Sequence, residues 1–390
     1  MKSSKKVIIC ILTLVLVVAL ALTAVGCKRN DQNDKSSGSD KIVTDMVGRE
    51  VNLGNAQFRK VVCIGAGALR MYSYVGDMSL IAGVEDIDNY ELSARPKMFD
   101  NVARPYMLAY ADDLKGLPSC GVGGPNAQSA EAEKILMCNP DIVISEYEDV
   151  DKENALQEQL GIPVVTVRYG AKGVFDDNVK GSLTLLGSIF GKEAKAKALC
   201  DYIDAQKAEL SRLTEGQTTQ PAVYICGLGN WGTTNHLMTA QNYEPFNVAH
   251  IRNAVSGLAN GGIGAIDAEK LASIGEDVDV MIIDAAAVKN IQPLYAEDPH
   301  MFDGIKAWRE GNVYLEMAYN AYYTNLEIAL INSWYAAKVV YPQALADVDI
   351  DAKTKEVTEA FLGKDLTQAI KGSLQSYGGY QQIDTATFFD

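Results

Sequence analysis

Two stretches of the chain share one plan, and that repetition limits the possible architecture more than any other feature. Each begins with a short apolar strand running into a pair of glycines: Lys60–Ile64 into Gly65-Ala66-Gly67, and Ala222–Cys226 into Gly227-Leu228-Gly229. Each continues to a Glu-Lys helix that precedes a buried strand. In the first copy Glu133-Lys134-Ile135-Leu136 comes before Pro140-Asp141-Ile142-Val143-Ile144. In the second, Glu269-Lys270-Leu271-Ala272 comes before Val278-Asp279-Val280-Met281-Ile282-Ile283. Short apolar strands alternating with helices demand a mostly parallel sheet with helices on its faces. The expected fold is therefore α/β, with two similar lobes.

Further elements fit this scheme. Thr44–Leu53 alternates around a Gly-Arg turn and predicts a β-hairpin, Leu80–Val84 and Pro163–Val167 predict strands, and Leu326–Val340 predicts a helix. From Asp176 to Leu213 the pattern is helical, interrupted near Gly191. The part from Glu193 onward would extend roughly 30 Å, the width of a small domain. One long backbone helix joining the lobes is the expected arrangement.

The N-terminus addresses the compartment. Lys2, Lys5 and Lys6 precede an uncharged run from Val7 to Gly26, which ends in Ala24-Val25-Gly26-Cys27. Small residues before a cysteine resemble the lipobox of bacterial lipoproteins, in which the cysteine is lipidated and becomes residue one. Ala24 stands where Leu is commonest, and the alternative is an uncleaved signal anchor. Residues 28–41 are too polar to bury a core and read as a flexible tether. The expected organisation is a signal peptide at 1–27, a tether at 28–41, an N-terminal lobe at 42–175 and an interlobe helical segment at 176–215. A C-terminal lobe at 216–348 and a helical extension at 349–390 complete it.

Charge and cysteine content exclude several classes. A formal charge of −15 over 390 residues argues against nucleic-acid binding, which needs a basic footprint. Cys63, Cys120, Cys138, Cys200 and Cys226 lie at irregular spacings with no CxxC pair, so neither a zinc site nor a thioredoxin-like motif is indicated. Cys63, Cys138 and Cys226 read as small buried hydrophobes.

The order of TDMVGREV, the paired Glu-Lys helix with its following strand, and the Gly-Lys-Glu start of the spanning helix resembles a known family. These are the substrate-binding proteins of ABC importers for iron chelates, haem and cobalamin, and the resemblance covers about residues 42–348. It implies two lobes facing across a cleft, limited closure on ligand, and one carboxylate per lobe docking on the permease. Those carboxylates map to Glu133 and Glu269, each of which also reads as a solvated helix-start Glu favoured by the helix dipole.

Both glycine loops fall at the carboxyl ends of strands, where open α/β sheets place ligands and where glycine permits close approach. A dinucleotide reading is weak, because Arg70 stands where the third glycine of the first copy belongs. Candidate ligand-binding residues are Gly67, Arg70, Arg104, Tyr106, Trp231, His236, Tyr243, Asn320, Tyr322 and Tyr323. The arginines, with Arg252, suit a bidentate grip on carboxylate or oxyanion, ordinary ion pairs being the alternative. The 19 Tyr against 9 Phe suit a bulky or planar ligand, with core packing the alternative for each. Three histidines are too few and too scattered for a bare-metal site. No G-x-S-x-G, H-E-x-x-H or P-loop occurs, so no catalytic residue and no cofactor is expected.

The expected protein is not an enzyme. It is an extracytoplasmic receptor, held to the membrane only through a lipid on Cys27, that delivers a small-molecule metal chelate to an ABC permease and its ATPase. A ferric siderophore is the first choice, then haem or a corrinoid, with molybdate or tungstate as further options. A monomer is expected. A secreted nucleotide-dependent enzyme and an adhesin or scaffold are the other classes.

Overall fold

The computed structural model describes residues 40–389, apart from 56, 101, 125–126, 128, 231–233 and 258–261. The signal, the lipobox with Cys27, and nearly all of the tether lie outside the described residues, as does Trp231. A hairpin of β1 (Ile42–Thr44) and β2 (Glu50–Asn52) opens the described chain. Arg49 fastens it: its Nε donates to Asp45 at 2.9 Å and its Nη2 donates to the Val164 carbonyl at 2.5 Å.

The first sheet contains β3 (Val61–Ile64), β4 (Ile81–Gly83), β5 (Ile142–Ser145) and β6 (Val164–Thr166), in the order β4-β3-β5-β6 and all parallel. Alternate side chains of β3 serve different cores. Val61 and Cys63 face the main core, while Val62 and Ile64 join Ile135, Val143, Leu156 and Leu160 on the other face. Burial on both faces explains why these strands are apolar throughout rather than alternating.

The connector is helical. Asp177–Phe190 ends at Gly191 in the left-handed conformation, and Glu193–Thr214 follows, packed against it. At 22 residues the second helix is about 33 Å long and carries the chain to the second sheet.

In the second lobe β7 (Ala222–Cys226) is followed by β8 (Met238–Ala240), β9 (Arg252–Asn253) and β10 (Ile263–Ala265), with β8 and β10 forming a separate antiparallel ribbon. With β11 (Val280–Asp284), β12 (Val313–Glu316) and β13 (Gln381–Gln382) the main sheet runs β13-β12-β11-β7-β9, parallel except for β13. The helix Leu326–Val340 is buried on nearly all sides and forms the centre of this half. Cys63, Cys120, Cys138 and Cys226 are buried free thiols.

The C-terminal extension engages both lobes. Its helix Ile350–Leu362, capped by the Asp349 carboxylate, packs on Leu326–Val340 and on the first-lobe helix Ala68–Val75. Phe361 meets Tyr74 edge-on at 5.1 Å, and Gln375 donates to the Asp100 carbonyl at 2.8 Å. Further along, β13 adds antiparallel to β12. The extension thus closes an edge of the second sheet while gripping the first lobe.

Candidate functional site

The carboxyl ends of strands from both sheets border one cavity of about 1160 Å³. Ala66 follows β3, Glu146 to Glu148 follow β5, Gly229 follows β7, Ala286 follows β11, and Asn320 to Thr324 follow β12. Parallel strands all aim their carboxyl ends one way, so loops after different strands converge on one crevice.

The wall from the second lobe is a tight loop. Asn320 and Thr324 pair across its base, with Thr324 Oγ1 donating to Asn320 Oδ1 at 2.7 Å. Asn320 Nδ2 donates to the Gly229 carbonyl at 2.9 Å, tying this loop to the glycine loop after β7. At the tip, Tyr322 and Tyr323 have φ of 53° and 76°, the left-handed region that a bulky side chain rarely adopts. Each such residue costs about 1–3 kcal/mol, so the surroundings must hold it there. Tyr323 is 39% exposed and stacks on Tyr169 with ring centroids 4.1 Å apart.

Charges of both signs line the rest. Glu146 presents its carboxyl to the cavity with no side-chain hydrogen bond among the described residues. Burial, reinforced by Glu148 and Glu85, pushes its pKa up to about 9, so it is a neutral acid at pH 7. Glu148 is neutralised by Arg168 at 2.6 Å. Lys97 from the first lobe and Lys289 from the second are exposed at the wall, and neither ammonium has an ion-pair partner among the described residues.

The structure brings Asn320, Tyr322 and Tyr323 together at the cavity and places the other described candidates elsewhere, Trp231 lying outside the described residues. Gly67 lies one residue behind the wall residue Ala66; with φ at +82°, it starts the helix Ala68–Val75 directly against Tyr169. Arg70 is fully buried beneath the tyrosine loop. Arg104 and Tyr106 are turned inward on Asp88: Arg104 is ion-paired to it and the Tyr106 hydroxyl donates at 2.8 Å. Neither lines the cavity, because a buried carboxylate already occupies the guanidinium. Tyr243 is a core residue of the second lobe, its hydroxyl donating to Glu316. His236 is partly buried against the edge of Phe302, away from the cavity, and burial lowers its pKa. Arg252 lies on exposed strand β9. Glu133 and Glu269 are exposed in the first turns of helices Ala132–Met137 and Ala268–Ile274, one per lobe.

Sequence reasoning missed Glu146 and Tyr147, although the strand-end rule applied to β3 and β7 would have found them after β5. Lys97 carried no such signal, since its loop has no periodicity. Among the described residues no group of three His, Cys, Asp or Glu side chains is placed to hold a metal ion.

A family model described as "Periplasmic binding protein" matches residues 61–317, well over half of the chain. The chain belongs to the periplasmic binding protein family. No curated protein matches this periplasmic binding protein in sequence. Among solved structures it resembles a periplasmic solute binding protein from Veillonella parvula, at 20% identity and a TM-score of 0.64, covering 85% of this chain and 95% of that one. The molybdate periplasmic binding protein MolA of Haemophilus influenzae, bound to molybdate, matches at 18% identity and TM-score 0.62, covering 84% and 99%. CeuE of Helicobacter pylori, in a nickel–histidine complex, matches at 15% and 0.57, covering 85% and 98%. At these identities the likeness establishes the shared fold.

Members of this family are solute-binding proteins rather than enzymes, act outside the cytoplasm, and work with an ABC permease and its ATPase. Among the described residues no helix is long and apolar enough to cross a membrane.

Proposed function

We propose that this periplasmic binding protein captures a bulky anionic metal chelate of the ferric-siderophore type and hands it to an ABC permease. The observation that carries this reading is the cavity itself, about 1160 Å³ and walled by phenols and unpaired ammonium groups. Small-molecule sites commonly occupy roughly 300–1,000 Å³. A single tetrahedral oxyanion would leave most of this space empty. Tyr147 and Tyr323 supply flat apolar faces with polar tips, which suit a ligand of rings and oxygens, while the buried Tyr322 shapes the wall beside them. Lys97 and Lys289 place positive charge on both sides of the opening in a chain whose net charge is −15. Attachment through a lipid on Cys27, with the following polar residues as tether, would keep such a receptor beside its permease.

The test is a calorimetric and thermal-shift panel on protein starting at residue 28. Ferric catecholates and hydroxamates, haemin, cobalamin, molybdate, tungstate and NAD are the probes. Ligand at one hundred times its Kd adds roughly 2.7 kcal/mol of stability. Stabilisation by a ferric chelate is expected, and a response to NAD alone would overturn the reading. Lys97→Glu and Lys289→Glu should each weaken a bound anionic chelate about tenfold, as expected for reversing a charge near it. Neither exposed substitution should lower the melting temperature.

Glu133 and Glu269 are the proposed permease contacts. Glu133→Lys or Glu269→Lys should leave chelate affinity unchanged and abolish uptake in cells. Normal uptake by both variants would remove that assignment.

A further inference from the structure

We propose that Arg70 and Glu85 are positioning residues for the cavity: from the first lobe they reach across and hold the Tyr322-Tyr323 tip of the second in the conformation that builds its wall. The proposal rests on the cavity being the cargo site, but the latch itself can be measured without cargo.

Arg70 stands on the helix Ala68–Val75 with its side chain fully buried. A buried guanidinium ordinarily pairs with a carboxylate, as Arg104 does with Asp88 nearby. The guanidinium of Arg70 makes no such pair among the described residues. Its Nη1 donates to the Tyr322 carbonyl at 2.9 Å and to the Tyr169 hydroxyl at 3.4 Å, and its Nη2 donates to the Ala321 carbonyl. The planar group lies over the Tyr106 ring at 4.8 Å, which fixes its direction. Its strongest hydrogen bonds therefore go to the backbone of the opposite lobe.

Glu85 completes the grip. Its Oε1 accepts from the Gly65 amide at 3.0 Å, anchoring the carboxyl to the loop after β3, and its Oε2 accepts from the Tyr322 hydroxyl at 2.7 Å. Tyr322 is thereby held at both ends, carbonyl by Arg70 and phenol by Glu85, while the Tyr323 ring is stacked on Tyr169 of the first lobe. The two consecutive left-handed tyrosines are stable only because the facing lobe over-determines them. Any opening that separates the lobes breaks these contacts together and lets the tip relax to ordinary φ. The wall that touches cargo then disappears as the cleft opens, which couples lobe separation to release.

Hydrogen exchange on the full-length protein tests this. The Ala321 amide donates to the Tyr323 carbonyl and the Asn325 amide to the Tyr319 carbonyl, both at 2.9 Å, so both report on the tip. In Arg70→Met, amides of residues 320–325 should exchange at least tenfold faster, with β11 and the helix Leu326–Val340 unchanged. Arg70→Lys, which keeps a donor and a charge, should give an intermediate rate and serves also if the methionine variant does not fold. Tyr322→Phe, which removes only the bond to Glu85, should accelerate the same segment about threefold. Wild-type exchange at 320–325 in the arginine variants, or acceleration spread evenly over both sheets, overturns the latch. Either result is independent of whether the chelate panel finds a ligand, so the two readings fail separately.

Discussion

Gly227→Ala should lower the melting temperature by about 5 °C, whereas Gly229→Ala, two residues along the same loop, should leave it within about 1 °C of the parent protein. Gly227 has φ of +89°, and a Cβ placed there would lie 2.2 Å from the Cβ of Ala287. Both penalties apply together: roughly 1–3 kcal/mol for a left-handed non-glycine residue, and about 1–3 kcal/mol for overpacking. A chain of this size, with a correspondingly large entropy of unfolding, loses about 1–2 °C per kcal/mol. Relief is not local, because the Gly227 amide donates to the Met238 carbonyl at 2.7 Å and Ala287 belongs to the buried face of the helix Ala285–Glu297. Gly229 has no such constraint: its nearest neighbours to an added Cβ are the Asn320 carbonyl oxygen at 3.6 Å and the Ala286 Cβ at 3.9 Å, ordinary contacts. Since Gly229 lines the cavity, its methyl would take space from cargo instead of from the core. Differential scanning calorimetry of the pair decides the matter. Equal melting temperatures would mean that the loop after β7 is not held in this close approach.

That pair shows where sequence legibility stops. The strand-to-glycine junctions were visible because parallel strands buried on both faces leave continuous apolar runs; β3 and β7 lie within the predicted segments, and β5 and β11 run one residue past theirs. The break at Gly191 was visible for a similar local reason, a helix end needing a left-handed residue. Which glycine of a junction packs against a helix and which opens onto a cavity depends on neighbours far away in sequence. The arginines make the same point more sharply. Arg70 and Arg104 were read as ligand grips because guanidinium suits anions, yet Asp88 satisfies one and the Ala321 and Tyr322 carbonyls satisfy the other. The Arg70 partners lie more than 250 positions away, so no spacing rule could reveal them. The tyrosines divided likewise: Tyr322 and Tyr323 reach the cavity, and Tyr106 and Tyr243 are core. The extension was legible as helices but not as the element that bridges both lobes and adds β13, since a two-residue edge strand has no periodicity.

Raising the pH from 5 to 8 should destabilise the protein, with a fall in melting temperature of about 10 °C. The cause is a set of carboxyl groups that burial makes hard to ionise. Glu85, Glu153 and Asp284 are each pushed up to about 7, and Glu146 to about 9. In every case loss of solvation is the largest contribution, partly opposed in Glu85 by the Gly65 amide and the Tyr322 hydroxyl. The sign follows from comparing the two states. The folded protein holds these protons more tightly than the unfolded chain, whose carboxyls titrate near 4. Their stabilising contribution is therefore complete below the unfolded value and is lost as the pH rises through 7, and for Glu146 through 9. Asp77, Asp176 and Asp279 are shifted the other way by hydrogen bonds and neighbouring cations, and their contribution fails only on the acid side. Opposed slopes place maximum stability between about pH 4 and pH 5. The groups also separate along the pH axis, because above about pH 7.5 only Glu146 among these four still titrates. Glu146→Gln should therefore flatten the curve between pH 7.5 and pH 9 and make the fall below pH 7 shallower without abolishing it, because Glu85, Glu153 and Asp284 still titrate there. A melting temperature that is level or rising from pH 5 to pH 8 would show instead that these carboxyls are ionised in the folded protein. In that case Glu146 would meet cargo as an anion and would offset one of the two unpaired lysines, weakening the preference for an anionic chelate.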